Sequence, residues 1–107
     1  MDQARDHDQV LLIARARLSG QISLIEAARA MLPSLHRWPE LIPVDAYNFM
    51  RAIASETDDL PLGTVRDLWD PKALVEKDRE IARCEELWRK QFQLTCERIV
   101  LSLQSVQ

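Results

Sequence analysis

Residues 70–104 read DPKALVEKDREIARCEELWRKQFQLTCERIVLSLQ, a run with no glycine and a single proline, placed second. Pro71 at a first helical position costs nothing, because that N–H would be unpaired anyway, and Asp70 before it is suited to accept from the first free amides. The apolar positions Leu74, Ile81, Cys84, Trp88, Phe92, Cys96, Ile99 and Leu103 recur at helical spacing, with Lys77 or Asp78 as the weak link. Outward positions offer Lys72–Glu76, Glu85–Arg89 and Glu86–Lys90 as pairs one turn apart. The pattern predicts one helix from Pro71 to about Gln104, a rod of about 50 Å at 1.5 Å per residue. A compact domain of this size has a radius of gyration of about 13 Å. The rod is therefore flanked end to end by shorter helices, or it overhangs them.

Upstream, all five prolines (33, 39, 43, 61 and 71) punctuate the middle of the chain. A first helix is expected over 4–18, with Val10, Leu11, Ile13, Ala14 and Leu18 on its inner side and Gly20 in position for a left-handed cap. Ser23-Leu24-Ile25-Glu26 matches a capping box opening a second helix, whose stripe is Leu24, Ala28, Met31 and Leu35. Pro33 is expected to end that helix near Met31 or to kink it. After a connector over His36–Pro43, a third helix is expected to start with Asp45 as its cap and Val44 and Phe49 as a hydrophobic staple. Ala46, Phe49, Met50, Ile53 and Ala54 give it one apolar face. The chain, residues 1–107, reads as a single all-α domain: a compact helical bundle of about four main helices on a long C-terminal helix, 71–104.

Composition narrows the partners. A net charge of −3, from 14 basic and 17 acidic residues, gives no electrostatic reason to bind nucleic acid. No stretch reaches the roughly 18 apolar residues of a membrane span, and the start Met1-Asp2-Gln3-Ala4-Arg5-Asp6 is unlike a secretory signal. The expected compartment is the cytoplasm. Cys84 and Cys96 lie twelve residues apart on one helix, about 18 Å, too far for a disulfide, and are expected as buried thiols.

Between the third helix and the rod lies Ser55-Glu56-Thr57-Asp58-Asp59-Leu60-Pro61-Leu62-Gly63-Thr64-Val65-Arg66-Asp67-Leu68-Trp69-Asp70-Pro71. Leu60-Pro61-Leu62-Gly63 fits a type I turn, and Thr64-Val65-Arg66-Asp67 fits a second capping box opening a short helix that ends at Trp69. What turn chemistry leaves over is charge. Glu56, Asp58 and Asp59 share a loop with only Arg66 as a basic neighbour in sequence. An ordered loop presenting carboxylates is a plausible contact surface for a basic partner.

The run Ser55-Glu56-Thr57-Asp58, then Leu60-Pro61, Gly63, Val65-Arg66, Trp69 and Pro71, followed by Ala73-Leu74, Lys77-Asp78, Glu80-Ile81 and Cys96, resembles a group of small bacterial all-α proteins. These share an S-E-T-D-x-L-P-x-G-x-V-R pattern ahead of a charged C-terminal helix. The resemblance covers the C-terminal half, carries no established activity, and implies a bacterial, intracellular, stand-alone domain. By analogy it fits the type of small proteins that neutralise toxins.

Catalytic and metal sites find little support. His7 and His36, the only histidines, have no histidine or cysteine three or four residues on. The pair Glu56 and Asp59 lacks the second acidic motif that a magnesium-dependent nucleotide hydrolase needs, since Glu85-Glu86 has the wrong spacing. No histidine neighbours either cysteine in sequence, and two isolated glycines make no phosphate loop. No catalytic residue, metal or cofactor is assigned. Trp88 reads as core, Trp69 as the joint between short helix and rod, and Trp38, in the connector, as the best candidate for an exposed aromatic.

The expected function is protein binding, in its sharpest form an immunity protein occluding the active site of a basic toxin domain. Glu56, Asp58 and Asp59 would make the contact, with Arg66, Asp67 and Trp38 in support. An alternative is a homodimeric structural or regulatory protein, joined through the end of the C-terminal helix by Ile99, Val100, Leu101, Leu103 and Val106. A small magnesium-dependent nucleotide hydrolase ranks last.

Overall fold

The computed structural model describes residues 3–104. Four α-helices follow one another: α1 (Gln3–Leu18), α2 (Leu24–Arg37), α3 (Val44–Glu56) and α4 (Pro71–Gln104). Short 3₁₀ helices, Pro39–Leu41 and Gly63–Leu68, stand before α3 and before α4. The all-α bundle on a C-terminal spine is as the sequence predicts. The 34-residue spine sets the long dimension of a body measuring 48 × 30 × 22 Å.

Local chemistry explains most boundaries. Gly20 carries φ +80°, and the amides of Gly20 and Gln21 bond back to the carbonyls of Arg17 and Ala16, the Schellman closure of α1. Both capping-box bonds of α2 are present: Glu26 N–H donates to Ser23 Oγ at 3.1 Å, and Ser23 N–H to Glu26 Oε1 at 3.3 Å. At α4 the Lys72 N–H donates to the Asp70 carboxylate at 3.1 Å, so Asp70 caps as expected.

Three local expectations fail, and of the two outcomes expected at Pro33 the helix end does not occur. Helix α2 passes through Pro33 to Arg37, because Pro33 is exposed while Ser34 and Leu35 beyond it are buried and Arg37 grips α1. Tertiary anchoring thus overrides a proline penalty of about 3 kcal/mol. Helix α3 starts at Val44 without a side-chain cap; Asp45 pairs with Arg98 of α4 instead, and Val44 points into solvent, so no staple forms. No side-chain cap opens the short helix at 63–68, so Thr64 closes no box. The hydrogen-bonded turn is Thr57–Leu60, and Gly63 takes φ +65°, a left-handed value that glycine tolerates.

Helix α2 is the centre of the core. Its Leu24, Ile25, Ala27, Ala28, Met31 and Leu35 are buried, between Val10 and Ala14 of α1 and Met50 and Ile53 of α3. Helix α4 closes this core with Phe92, Cys96, Ile99 and Leu103, and Phe92 meets Phe49 at 6.0 Å between ring centres. The seam is only half realised. No residue of α4 before Phe92 is fully buried; Ile81, Cys84 and Trp88 are partly buried against the core. The overhang is therefore at the front of the rod. Among the residues expected to join two copies at its C-terminal end, Ile99 and Leu103 are core and Val100 packs against it. Leu101 alone of the described ones points outward, and Val106 lies outside the described residues.

The outward pairs also differ from expectation. Glu76 pairs with Arg79 and Glu86 with Arg89, each three residues apart, while Glu85 turns inward to accept from the Leu24 amide at 3.3 Å. Both cysteines are free thiols. Cys96 is buried and burial pushes its thiol up to about 12, whereas Cys84 is half-buried. No helix among the described residues is long and apolar enough to cross a membrane.

Candidate protein-binding surface

Between α3 and α4 the chain is wired to the bundle at regular intervals, and the candidate residues stand between the wires. Thr57 is buried and its hydroxyl donates to Ile53 O at 2.7 Å, closing α3 from within. The Arg29 guanidinium reaches across from α2 to the carbonyls of Thr57 and Leu60, the latter at 3.1 Å. Leu60 and Pro61 are buried. Asp58 and Asp59 lie between these anchors and are forced outward.

The second set of ties runs to the front of α4. Arg66 binds Asp78 with both arms, Nη1 to Oδ1 at 2.8 Å and Nη2 to Oδ2 at 3.0 Å, and touches Pro61 O at 3.3 Å. Lys77 Nζ donates to Asp59 at 2.9 Å and stands 5.9 Å from the centre of the Trp69 ring. These charge-assisted bonds lower the carboxyls of Asp78 and Asp59 below the ordinary range, the first through Arg66 and the second through Lys77. Individually such exposed pairs contribute little to stability. Together they fix the angle between the short helix and the rod, with Trp69 at the joint.

This sorts the predicted residues. Asp59 is held by Lys77, and Arg66 faces Asp78 in place of the acidic loop. Glu56, Asp58 and Asp67 are exposed and have neither hydrogen bond nor ion pair among the described residues. Trp38 is elsewhere, beyond the opposite end of α2. Its indole Nε1 donates to Asp6 at 2.7 Å, so it serves packing and polar satisfaction.

The same segment presents apolar side chains that sequence reasoning missed. In a 3₁₀ helix, residues three apart eclipse one another. Val65 and Leu68 therefore share a face, a third of a turn from Arg66, and Leu68 is 85 % exposed. Val75, one turn into α4, is also exposed. The available signal was the three-residue spacing of Val65 and Leu68 next to the glycine. Residues 55–80 hold eight acidic and four basic side chains, net −4, so the remainder of the chain is +1 against the total of −3. The segment thus exposes three apolar side chains among carboxylates close to them in sequence, on a backbone cross-tied to two helices.

A second polar cluster joins α1 to the end of α2. Asp6 is buried and accepts from Ser34 Oγ at 2.9 Å, from Arg37 Nε at 2.9 Å and Nη2 at 2.6 Å, and from Trp38. Arg37, with Ser34 and Trp38 adding donors, holds the Asp6 carboxyl well below the usual carboxylate range despite the opposing cost of burial. A groove of about 970 Å³ lined by Arg5, Asp6, Gln9, Ala30, Pro33, Ser34 and Arg37 opens beside it. Because every Asp6 acceptor faces a donor, the cluster reads as a structural clasp. No group of three or more His, Cys, Asp or Glu among the described residues is placed to hold a metal ion. No protein-family model, curated protein or solved structure matches this chain.

Proposed function

We propose that this protein is a binding module that docks a basic face of a partner protein onto the surface around Leu68. The sharpest form of the proposal is an immunity protein that covers the basic substrate groove of a toxin domain. One observation carries it: Val65, Leu68 and Val75 are each exposed on a segment of net −4 that also exposes Glu56, Asp58 and Asp67. Protein interfaces combine an apolar centre with a polar rim. Carboxylates in the rim steer a basic partner and set its register. The ties from Arg29, Arg66 and Lys77 hold the backbone in one arrangement, which lowers the ordering cost of association.

Co-expression tests the reading. A toxin domain encoded beside this protein is expected to arrest growth when produced alone, and the wild-type chain to restore it. Leu68→Glu, and the double reversal Glu56→Lys with Asp58→Lys, are expected to lose the rescue while accumulating as folded protein. A harmless neighbouring product, or rescue by both variants at the wild-type level, overturns the proposal.

A further inference from the structure

The outer side of α4 carries three leucines that the fold leaves uncovered: Leu87, Leu94 and Leu101, exposed to 74 %, 55 % and 70 %. They are spaced by seven residues, and Leu94 lies about 200° around the helix from the core residue Phe92, at 100° per residue. Seven residues fall only about 20° short of two turns, so the leucines form a nearly straight stripe about 21 Å long. The inner face of the same stretch packs on α1 and α2, leaving the stripe without a covering element.

Charge identifies what covers it. Lys90 and Glu97 lie within about 20° of one another on the same edge of the stripe. Neither has an ion pair or hydrogen bond among the described residues. Seven residues put them about 10 Å apart along the axis, too far to satisfy each other. Across a two-fold axis at Leu94, matching edges of two antiparallel helices meet. Leu94 then faces its own copy, Leu87 faces the partner's Leu101, and Lys90 comes within one residue's rise of the partner's Glu97. By symmetry this ion pair forms twice. A parallel pair in register would instead set lysine level with lysine and glutamate level with glutamate.

The geometry points to a second copy of this chain as the occupant: an antiparallel homodimer through the Leu87–Leu94–Leu101 stripe, with Lys90 and Glu97 setting its direction. The surface is distinct from the one around Leu68. Val75 lies 19 residues from Leu94, so the dimer would hold two acidic surfaces about 57 Å apart along the common axis. A contact of this length is at the small end of specific interfaces, and a Kd on the order of 10 µM is expected.

Sedimentation equilibrium from about 1 to 500 µM is the test. Dimer should hold half of the protomers at about 10 µM and most of them at the top of that range, and Leu94→Glu should abolish it without moving the melting temperature measured at low concentration. Lys90→Glu should weaken association about tenfold, and adding Glu97→Lys should restore it. In a Cys84→Ser background, Leu87→Cys mixed with Leu101→Cys should cross-link on oxidation, while Leu87→Cys alone should not. A monomer at 500 µM, association that survives Leu94→Glu, a double charge swap without rescue, or cross-linking of Leu87→Cys to itself each overturns the proposal. None of these variants touches Leu68, Glu56 or Asp58, so the docking proposal stands or falls separately.

Discussion

The two halves of α4 belong to one unbroken helix and are held by different forces. From Phe92 to Leu103 the inner face is buried in the shared core. From Pro71 to Gln91 no side chain is fully buried, and the attachments are the Arg66–Asp78 and Asp59–Lys77 pairs and the Leu24 amide bond to Glu85, with partial packing of Ile81, Cys84 and Trp88. Hydrophobic burial is non-directional and cooperative, so the rear half supplies stability. Ion pairs with defined geometry contribute little free energy and much orientation. The front half is therefore a bracket that aims the surface around Leu68.

The largest effect that would sharpen this contrast is on the rear half. Phe92→Ala should cost about 3–5 kcal/mol in urea unfolding, whereas Leu74→Ala should cost less than about 1.5 kcal/mol. Equal losses would show that both halves share one core.

The next effect separates two carboxylates by sign. The Asp6 pKa is depressed in the folded state, so its contribution is present above about pH 4, the unfolded value, and is lost as acid takes the pH below it. Asp6→Asn should therefore destabilise at neutral pH and flatten the acid limb of the stability profile. Glu85 is displaced upward, by desolvation first, so its ionisation opposes folding as the pH rises past the ordinary glutamate value. Glu85→Gln, which keeps an oxygen for the Leu24 amide, should leave neutral-pH stability unchanged or slightly raised. A loss as large as that of Asp6→Asn would contradict this.

The smallest global effect is expected at the bracket. Lys77→Ala should leave the unfolding midpoint nearly unmoved while hydrogen exchange quickens at the amides of 63–76. A drop in midpoint without faster local exchange would assign Lys77 to the core.

These contrasts also separate what was legible in the sequence. The four helices, the Ser23 box, the Gly20 cap and the Asp70–Pro71 start follow from spacing and local backbone chemistry, and all of them form. Pro33 does not end its helix, because its penalty is local, whereas the Asp6 clasp that holds Arg37 and Trp38 beyond it joins residues some thirty positions apart. Lys77 and Asp78 look like flaws in the apolar seam. They are the residues by which α4 grips Asp59 and Arg66. The acidic loop was readable as charge; that Asp59 is neutralised while Glu56 and Asp58 stay open depends on Lys77, eighteen residues beyond Asp59. Leu68 was legible only through its three-residue spacing from Val65, since a leucine in a short segment signals core as readily as surface.

What stands or falls here is that the segment around Leu68, aimed by the front half of α4, carries a binding surface on which the stability of the fold does not depend. Calorimetric titration of the partner identified by co-expression into wild type, Leu68→Glu and Glu56→Lys/Asp58→Lys, with melting temperatures alongside, tests it most directly. The prediction is a loss of at least tenfold in affinity for each variant, a wild-type affinity that falls with added salt, and unchanged melting temperatures. Wild-type affinity in both variants, or weakened binding accompanied by unfolding, would contradict it.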